Sequence, residues 1–172
     1  MRVRFAAWIS FGLAWLAWCA PATAQAEAPR TLFLVRHAEK AAGENPALTA
    51  AGRERAQLLA RMLRDARIRV IVVSEWKRTQ QTAAPLAQAL GIAPRIVRVD
   101  VPAKLRALAP GTRALVVSHS DVVPEIVAAL GCGEIPAIGG REYDRLYLVT
   151  LEGDGDCEAT LLRYGAPSAA GG

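Results

Sequence analysis

Two histidines are all the chain contains, and each follows an apolar run. Leu32-Phe33-Leu34-Val35 leads into Arg36-His37-Ala38-Glu39, and Ala114-Leu115-Val116-Val117 leads into Ser118-His119-Ser120. A third run, Val70-Ile71-Val72-Val73, passes through Ser74 to Lys77-Arg78. Short apolar runs that stop at a charged or imidazole side chain are how buried parallel strands present chemistry. Ligands of open α/β sheets bind just beyond the carboxyl ends of the strands. Two imidazoles and two guanidiniums at three such ends suit the holding and attack of a phosphoryl group. A phosphate monoester repels nucleophiles through its negative oxygens, and a protein overcomes this by positioning and by spreading positive charge over those oxygens. Guanidinium stays protonated and donates in a planar fork. Neutral imidazole, with an ordinary pKa of about 6.5, is a nucleophile near neutral pH. Spacing alone does not say which histidine attacks.

The elements that must carry these residues alternate along the chain. Residues 31–36 read as a strand. Thr49 to about Asp65 reads as a helix, with Thr49 as N-cap and Leu58, Leu59, Met62 and Leu63 as its inner face. A strand over 69–73 precedes a helix over about 77–90 that Gly91 ends. A strand over 94–99, a short helix over 102–108, a strand over 113–117 and a helix over about 122–130 follow. Strands 144–151 and 158–164 are joined by Gly153-Asp154-Gly155-Asp156, a hairpin signal. Four strand–helix repeats and a terminal hairpin predict an α/β fold, a three-layer sandwich whose mostly parallel sheet carries helices on both faces.

The chain has 172 residues, enough for one domain with a real core. That domain is expected over 30–165, with a small-residue, disordered tail over 166–172. Arg2 and Arg4 head an uncharged apolar stretch from Phe5 to Cys19, and Ala22-Thr23-Ala24 and Ala24-Gln25-Ala26 offer small-x-small cleavage sites. This predicts a signal peptide over 1–26, cleaved near 24–26, and a periplasmic or secreted product. The apolar run is short for a membrane span, so no stable insertion is expected after cleavage. Cleavage lowers the formal net charge from +5 to +3, because Arg2 and Arg4 leave and no acid does. The basic balance therefore says little about nucleic acid, and no nucleic-acid partner is expected. Arg53, Arg55, Arg61, Arg64, Arg67 and Arg69, interleaved with Glu54 and Asp65, read as the solvated face of a helix. An oxidising compartment permits a disulfide between Cys132 and Cys157, and neither neighbours a motif that would activate a thiolate.

Arg36-His37-Ala38 resembles the Arg-His-Gly signature of the histidine phosphatase superfamily, the phosphoglycerate-mutase-like fold, in its small exported bacterial form. Pro46-Ala47-Leu48-Thr49-Ala50-Ala51-Gly52 is similar to the segment that opens that family's first helix. Ser74 with Arg78-Thr79-Gln80-Gln81-Thr82-Ala83 resembles its second arginine motif, and Ser118-His119-Ser120 its second histidine motif. The four segments occur in the family's order and span nearly the whole mature chain. Ala38 stands where the family usually has glycine. The resemblance implies a phosphomonoester hydrolase in which His37 is the nucleophile and forms a phosphohistidine. Arg36, Arg78 and His119, the last as imidazolium, would clamp the phosphoryl group, with Ser74 and Ser120 as minor donors. It also implies a carboxylic acid that protonates the leaving group. Asp100 matches by position, and Asp121 and Glu39 are its rivals. No cofactor or metal is expected. The substrate is a phosphorylated small molecule or macromolecule, and phosphohistidine or phosphoprotein hydrolysis, or non-catalytic phosphate binding, are the alternatives.

Overall fold

The computed structural model describes residues 27–153 and 155–168. The predicted signal peptide and its cleavage site lie outside the described residues. The elements alternate as β1 (Arg30–Arg36), α1 (Ala50–Leu63), β2 (Val70–Val73), α2 (Lys77–Leu90), β3 (Arg95–Ile96), α3 (Val101–Arg106), β4 (Arg113–Ser118), α4 (Val122–Ala129), β5 (Arg145–Leu151) and β6 (Cys157–Arg163). They form one six-stranded sheet in the order β3-β2-β4-β1-β5-β6. The first four of these are mutually parallel, while β5 runs antiparallel to both β1 and β6.

The apolar runs are continuous because both faces of the inner strands are covered. Leu32, Leu34, Val70, Val72, Ala114 and Val116 face a core closed by Leu105 of α3 and Val123, Ile126 and Val127 of α4. Their alternates, Phe33, Val35, Ile71, Val73, Leu115 and Val117, face Leu59 and Leu63 of α1 and Ala83, Leu86 and Ala87 of α2. The three-layer α/β architecture expected from the strand–helix alternation is thus present.

Local signals explain the helix ends. Thr49 Oγ1 accepts from the Gly52 amide at 3.1 Å and caps α1. Gly52 is required there because a Cβ would collide with the Glu39 carbonyl, so α1 packs directly on the loop that follows β1. Gly91 ends α2 with φ 64°. Cys132, just beyond α4, is disulfide-bonded to Cys157 at the start of β6, a sequence separation of 25. Closing a loop of that length removes roughly 3 kcal/mol of freedom from the unfolded chain.

Four expectations differ from the structure. The third strand pairs with β2 over only two positions, not across 94–99, because it lies at the sheet edge with Ile96 and Val99 turned to solvent. Met62 is 47% exposed, and small Ala56 and Ala60 take the inner positions of α1 beside Leu59 and Leu63. Arg55 points inward rather than to water. It makes a bidentate contact with Glu39 and donates to the carbonyls of Tyr164 and Ala166. The tail is accordingly held at its start: Ala166 receives Arg55, and Ser168 Oγ accepts from the Tyr143 amide at 2.8 Å.

Candidate active site

The loops leaving β1 and β2 turn toward the α1–α2 face, and the loop leaving β4 turns toward α4. Since β4 lies between β2 and β1, the three predicted strand ends are adjacent, and it is beside strands whose connections part to opposite faces that ligands of open α/β sheets bind.

Arg36 is the last residue of β1 and is 6% exposed. Among the described residues it forms no ion pair with a carboxylate. Its Nη1 donates to the carbonyls of Gly139 (2.7 Å) and Glu142 (3.0 Å), and its Nη2 to that of Gly140 (3.0 Å). The guanidinium lies over the Tyr143 ring, 4.3 Å from its centroid. The turn that supplies these carbonyls is itself tied, because Glu142 accepts from the Gly139 amide and from Arg145. His37 follows, 3% exposed, with Nδ1 2.8 Å from the Ala38 carbonyl. A carbonyl oxygen only accepts, so Nδ1 carries the proton and Nε2 keeps its lone pair. Burial, opposed by that backbone bond and reinforced by Arg36, Arg78 and His119, pushes the His37 pKa down to about 3. The imidazole is therefore neutral across the physiological range. Ala38 is fully buried, and its amide donates to Thr82 Oγ1 at 2.9 Å.

His119 follows β4. Its ring centroid is 5.5 Å from that of His37, in an edge-on arrangement. Nε2 lies 2.9 Å from Ser74 Oγ, and Nδ1 lies 3.4 Å from Arg78 Nη2. Arg78, in the first turn of α2, stacks over Trp76 at 4.7 Å. Only three buried side-chain polar atoms among the described residues lack a hydrogen-bond partner, and two are the Nε atoms of Arg36 and Arg78. Buried donors are costly unless met by an acceptor. Two cationic donors of this kind beside an unprotonated imidazole nitrogen suit a tetrahedral oxyanion.

The structure thus brings together Arg36, His37, Arg78 and His119, and it bears on two of the expected roles. Burial and then Arg78 lower the His119 pKa, against the opposing charges of Asp121 and Glu75. The lowered pKa and the Arg78 donor facing Nδ1 at 3.4 Å both favour the neutral ring over the imidazolium. Ser74 is spent on His119 and Thr79 instead of facing substrate. Ser120 stands half-buried beside His119.

The expected acid is corrected as well. Asp100 is exposed, with φ 54° at the head of α3, beyond the sheet edge where β3 ends. In the strand order β3 is separated from β4 by β2. Glu39 is committed to Arg55 at 2.8 Å. The carboxylate whose charge reaches Arg36, Arg78 and His119 is Asp121. Although it precedes α4, its side chain makes no cap hydrogen bond. Tyr143, Trp76, Glu75, Thr79, Thr82 and the turn 139–142 complete the surroundings and were not singled out from sequence. The threonines sit within the Arg78–Ala83 segment, so their spacing was visible. Nothing in the sequence marked a connector whose carbonyls hold Arg36.

The depressed His37 pKa predicts a stability profile. Between pH 6.5 and 3 the unfolded chain binds a proton at residue 37 that the folded chain refuses, so stability is complete above the ordinary pKa and lost as pH falls. From pH 7 to 5 this costs about 2 kcal/mol, and His119 adds to it in the same direction. Urea unfolding at the two pH values should show this loss, and His37→Asn should shrink it by that amount. A variant profile parallel to the wild type would refute the shift.

Residues 32–101 match the model of the histidine phosphatase superfamily (branch 1). Among solved structures, the chain is similar to the protein histidine phosphatase SixA complexed with tungstate, with TM-score 0.65 and 24% identity over 77% of this chain and 96% of that one. It is also similar to a mycobacterial glucosyl-3-phosphoglycerate phosphatase, with TM-score 0.57 and 17% identity over 80% and 99% of the two chains. The α-ribazole phosphatase from Shigella flexneri gives TM-score 0.61 and 17% identity over 78% and 96%. At these identities the likeness to the solved structures is one of fold. No curated protein matches the sequence.

Proposed function

From the premise that this chain belongs to the histidine phosphatase superfamily and is a phosphatase, we propose that it hydrolyses phosphomonoesters through a phosphohistidine on His37. The observation that carries this reading is the pairing of a bare His37 Nε2 with two unpartnered, buried arginine Nε donors. In the first step Nε2 attacks phosphorus and the P–O bond to the leaving group breaks. Arg36 and Arg78 hold the equatorial oxygens as charge redistributes. His119 offers Nδ1 to the same group, and a phosphoryl dianion favours its protonation there. In the second step water attacks phosphorus and releases His37 and inorganic phosphate.

In this scheme Asp121, two residues beyond His119 and free of a cap hydrogen bond, enters protonated, gives its proton to the departing oxygen and regains one from the attacking water in the second step. Asp121→Asn is expected to slow alkyl phosphates, poor leaving groups, by about 10²-fold or more, and to slow p-nitrophenyl phosphate far less. Asp100→Asn should leave both rates unchanged. Equal losses on the two substrates for Asp121→Asn, or a selective loss for Asp100→Asn, would return the acid to another residue.

The experiment for the reading as a whole is turnover of p-nitrophenyl phosphate with trapping of an acid-labile phosphoenzyme. Phosphate or vanadate binding without turnover would leave a binding module instead. A second reading, phosphohistidine or phosphoprotein hydrolysis, is favoured by the short connections after β2 and β4, which reach the next helix through residues 74–76 and 119–121. SixA, of similar fold, is itself named a protein histidine phosphatase. A phosphohistidine substrate also has a good leaving group that needs little protonation. On the strength of the leader pattern from Arg2 to Ala26, the site of action is the periplasm or the exterior.

A further inference from the structure

Three hydroxyl and imidazole groups behind His119 form a chain with only one consistent direction. Thr79 Oγ1 lies 3.1 Å from the Ser74 carbonyl and 2.9 Å from the Trp76 carbonyl, so its single hydrogen is committed to main-chain acceptors. Thr79 must then accept from Ser74 Oγ, which is 2.9 Å away. With its own hydrogen donated to Thr79, Ser74 Oγ can only accept from His119 Nε2 at 2.9 Å. The other ring nitrogen, Nδ1, faces Arg78, which can only donate. Each donor and acceptor is thus assigned with no choice left over. Thr79 is fully buried and Ser74 and His119 are half-buried, so water has little chance to substitute.

We propose that Ser74 and Thr79 are positioning residues that fix the tautomer of His119, holding its proton on Nε2 and presenting Nδ1 to the substrate. This rests on the reading of His119 as a phosphoryl-facing group and goes beyond it. Thr79 shares the first turn of α2 with Arg78, so one turn of helix supplies a clamp and also sets the ring the clamp faces. When Nδ1 takes a proton in the presence of a phosphoryl dianion, Ser74 Oγ remains an acceptor for Nε2–H and favours the imidazolium. The other charged and titratable groups around this ring are Arg78 and Glu75 from the α2 side, Arg36 and His37 from the β1 side, and Asp121 at the head of α4. None of them reaches Nε2 in place of Ser74.

The test uses the nitrogen shifts of the imidazole rings in the ¹⁵N-labelled full chain, a simple spectrum because the chain has two histidines. At neutral pH, His119 is expected as the Nε2–H tautomer. Thr79→Val frees the Ser74 hydrogen to turn toward Nε2 and should yield a mixture of tautomers. It should also lower kcat for p-nitrophenyl phosphate roughly tenfold with little change in KM. Thr79→Ser, which keeps the hydroxyl, should recover both. Ser74→Ala should shift the alkaline limb of the pH–kcat profile to lower pH, because the imidazolium loses an acceptor. A proton on Nδ1 in the wild type overturns the proposal. So does an unchanged tautomer ratio in Thr79→Val, or a changed ratio with unchanged kcat. If Thr79→Val does not fold, the wild-type spectrum and Ser74→Ala decide. Failure of the phosphohistidine reading shows separately, as turnover that survives His37→Ala, and leaves the tautomer result standing.

Discussion

His37→Ala is expected to abolish turnover of p-nitrophenyl phosphate, with a loss of at least about 10⁴-fold in kcat, the scale seen when a covalent nucleophile is removed. The loss is large because the other groups of the site cannot take over the attack. Arg36 and Arg78 only donate, and His119 has Nε2 tied to Ser74 while Nδ1 faces Arg78. The variant keeps both arginine Nε donors, so inorganic phosphate or vanadate should still bind within about tenfold of the wild-type affinity. No acid-labile phosphoenzyme should form. The cavity left by a small imidazole at the end of β1, a buried group pressed by two guanidiniums, should leave folding intact near neutral pH. Residual turnover above one per cent would assign the attack elsewhere.

Arg78→Ala is expected to lower kcat by 10² to 10³, the usual cost of one preorganised donor to a developing oxyanion. Stability should change by about 1 kcal/mol at most, since alanine is the better helix former and the lost contacts are the stacking on Trp76 and a long, 3.4 Å contact with His119. Arg78→Lys should recover little, because an ammonium lacks the planar fork and the Nε donor that stands unpartnered in the pocket. A second effect accompanies the first: with the guanidinium gone, the pKa of His119 rises, since Arg78 is the largest charge lowering it. The pH profile should therefore move to higher pH as the rate falls. A large loss of folding with normal activity per folded molecule would refute the assigned role.

The fold was legible because its signals were local and redundant. The runs at 32–35, 70–73 and 114–117 are apolar at every position, which only a strand covered on both faces requires, and Thr49 and Gly91 marked helix ends by their backbone chemistry. The third strand was overread because Ile96 and Val99 are apolar yet exposed, and nothing local distinguishes an edge residue from a core one. The two histidines and two arginines were legible for the same reason as the strands they terminate. The acid was not. Asp100 and Asp121 both precede helices; the nearness of Asp121 to His119 is plain in the chain, but that β3 lies at the sheet edge with β2 between it and β4 shows only in the strand order. The grip on Arg36 was equally out of reach, because it comes from main-chain carbonyls of 139–142, and any residue type supplies a carbonyl.

That grip has an electrical consequence. Arg36 is anchored by neutral oxygens and an aromatic face, with no ion pair among the described residues and only the more distant charges of Asp121 and Glu142 acting on it, so much of its positive charge stays on offer to an arriving anion. Dissolved salt can screen the approach of that anion through the solvent, but it has no ion pair to dissolve at this anchor. Ionic strength therefore governs how often the two meet, and hardly at all how the guanidinium is poised when they do.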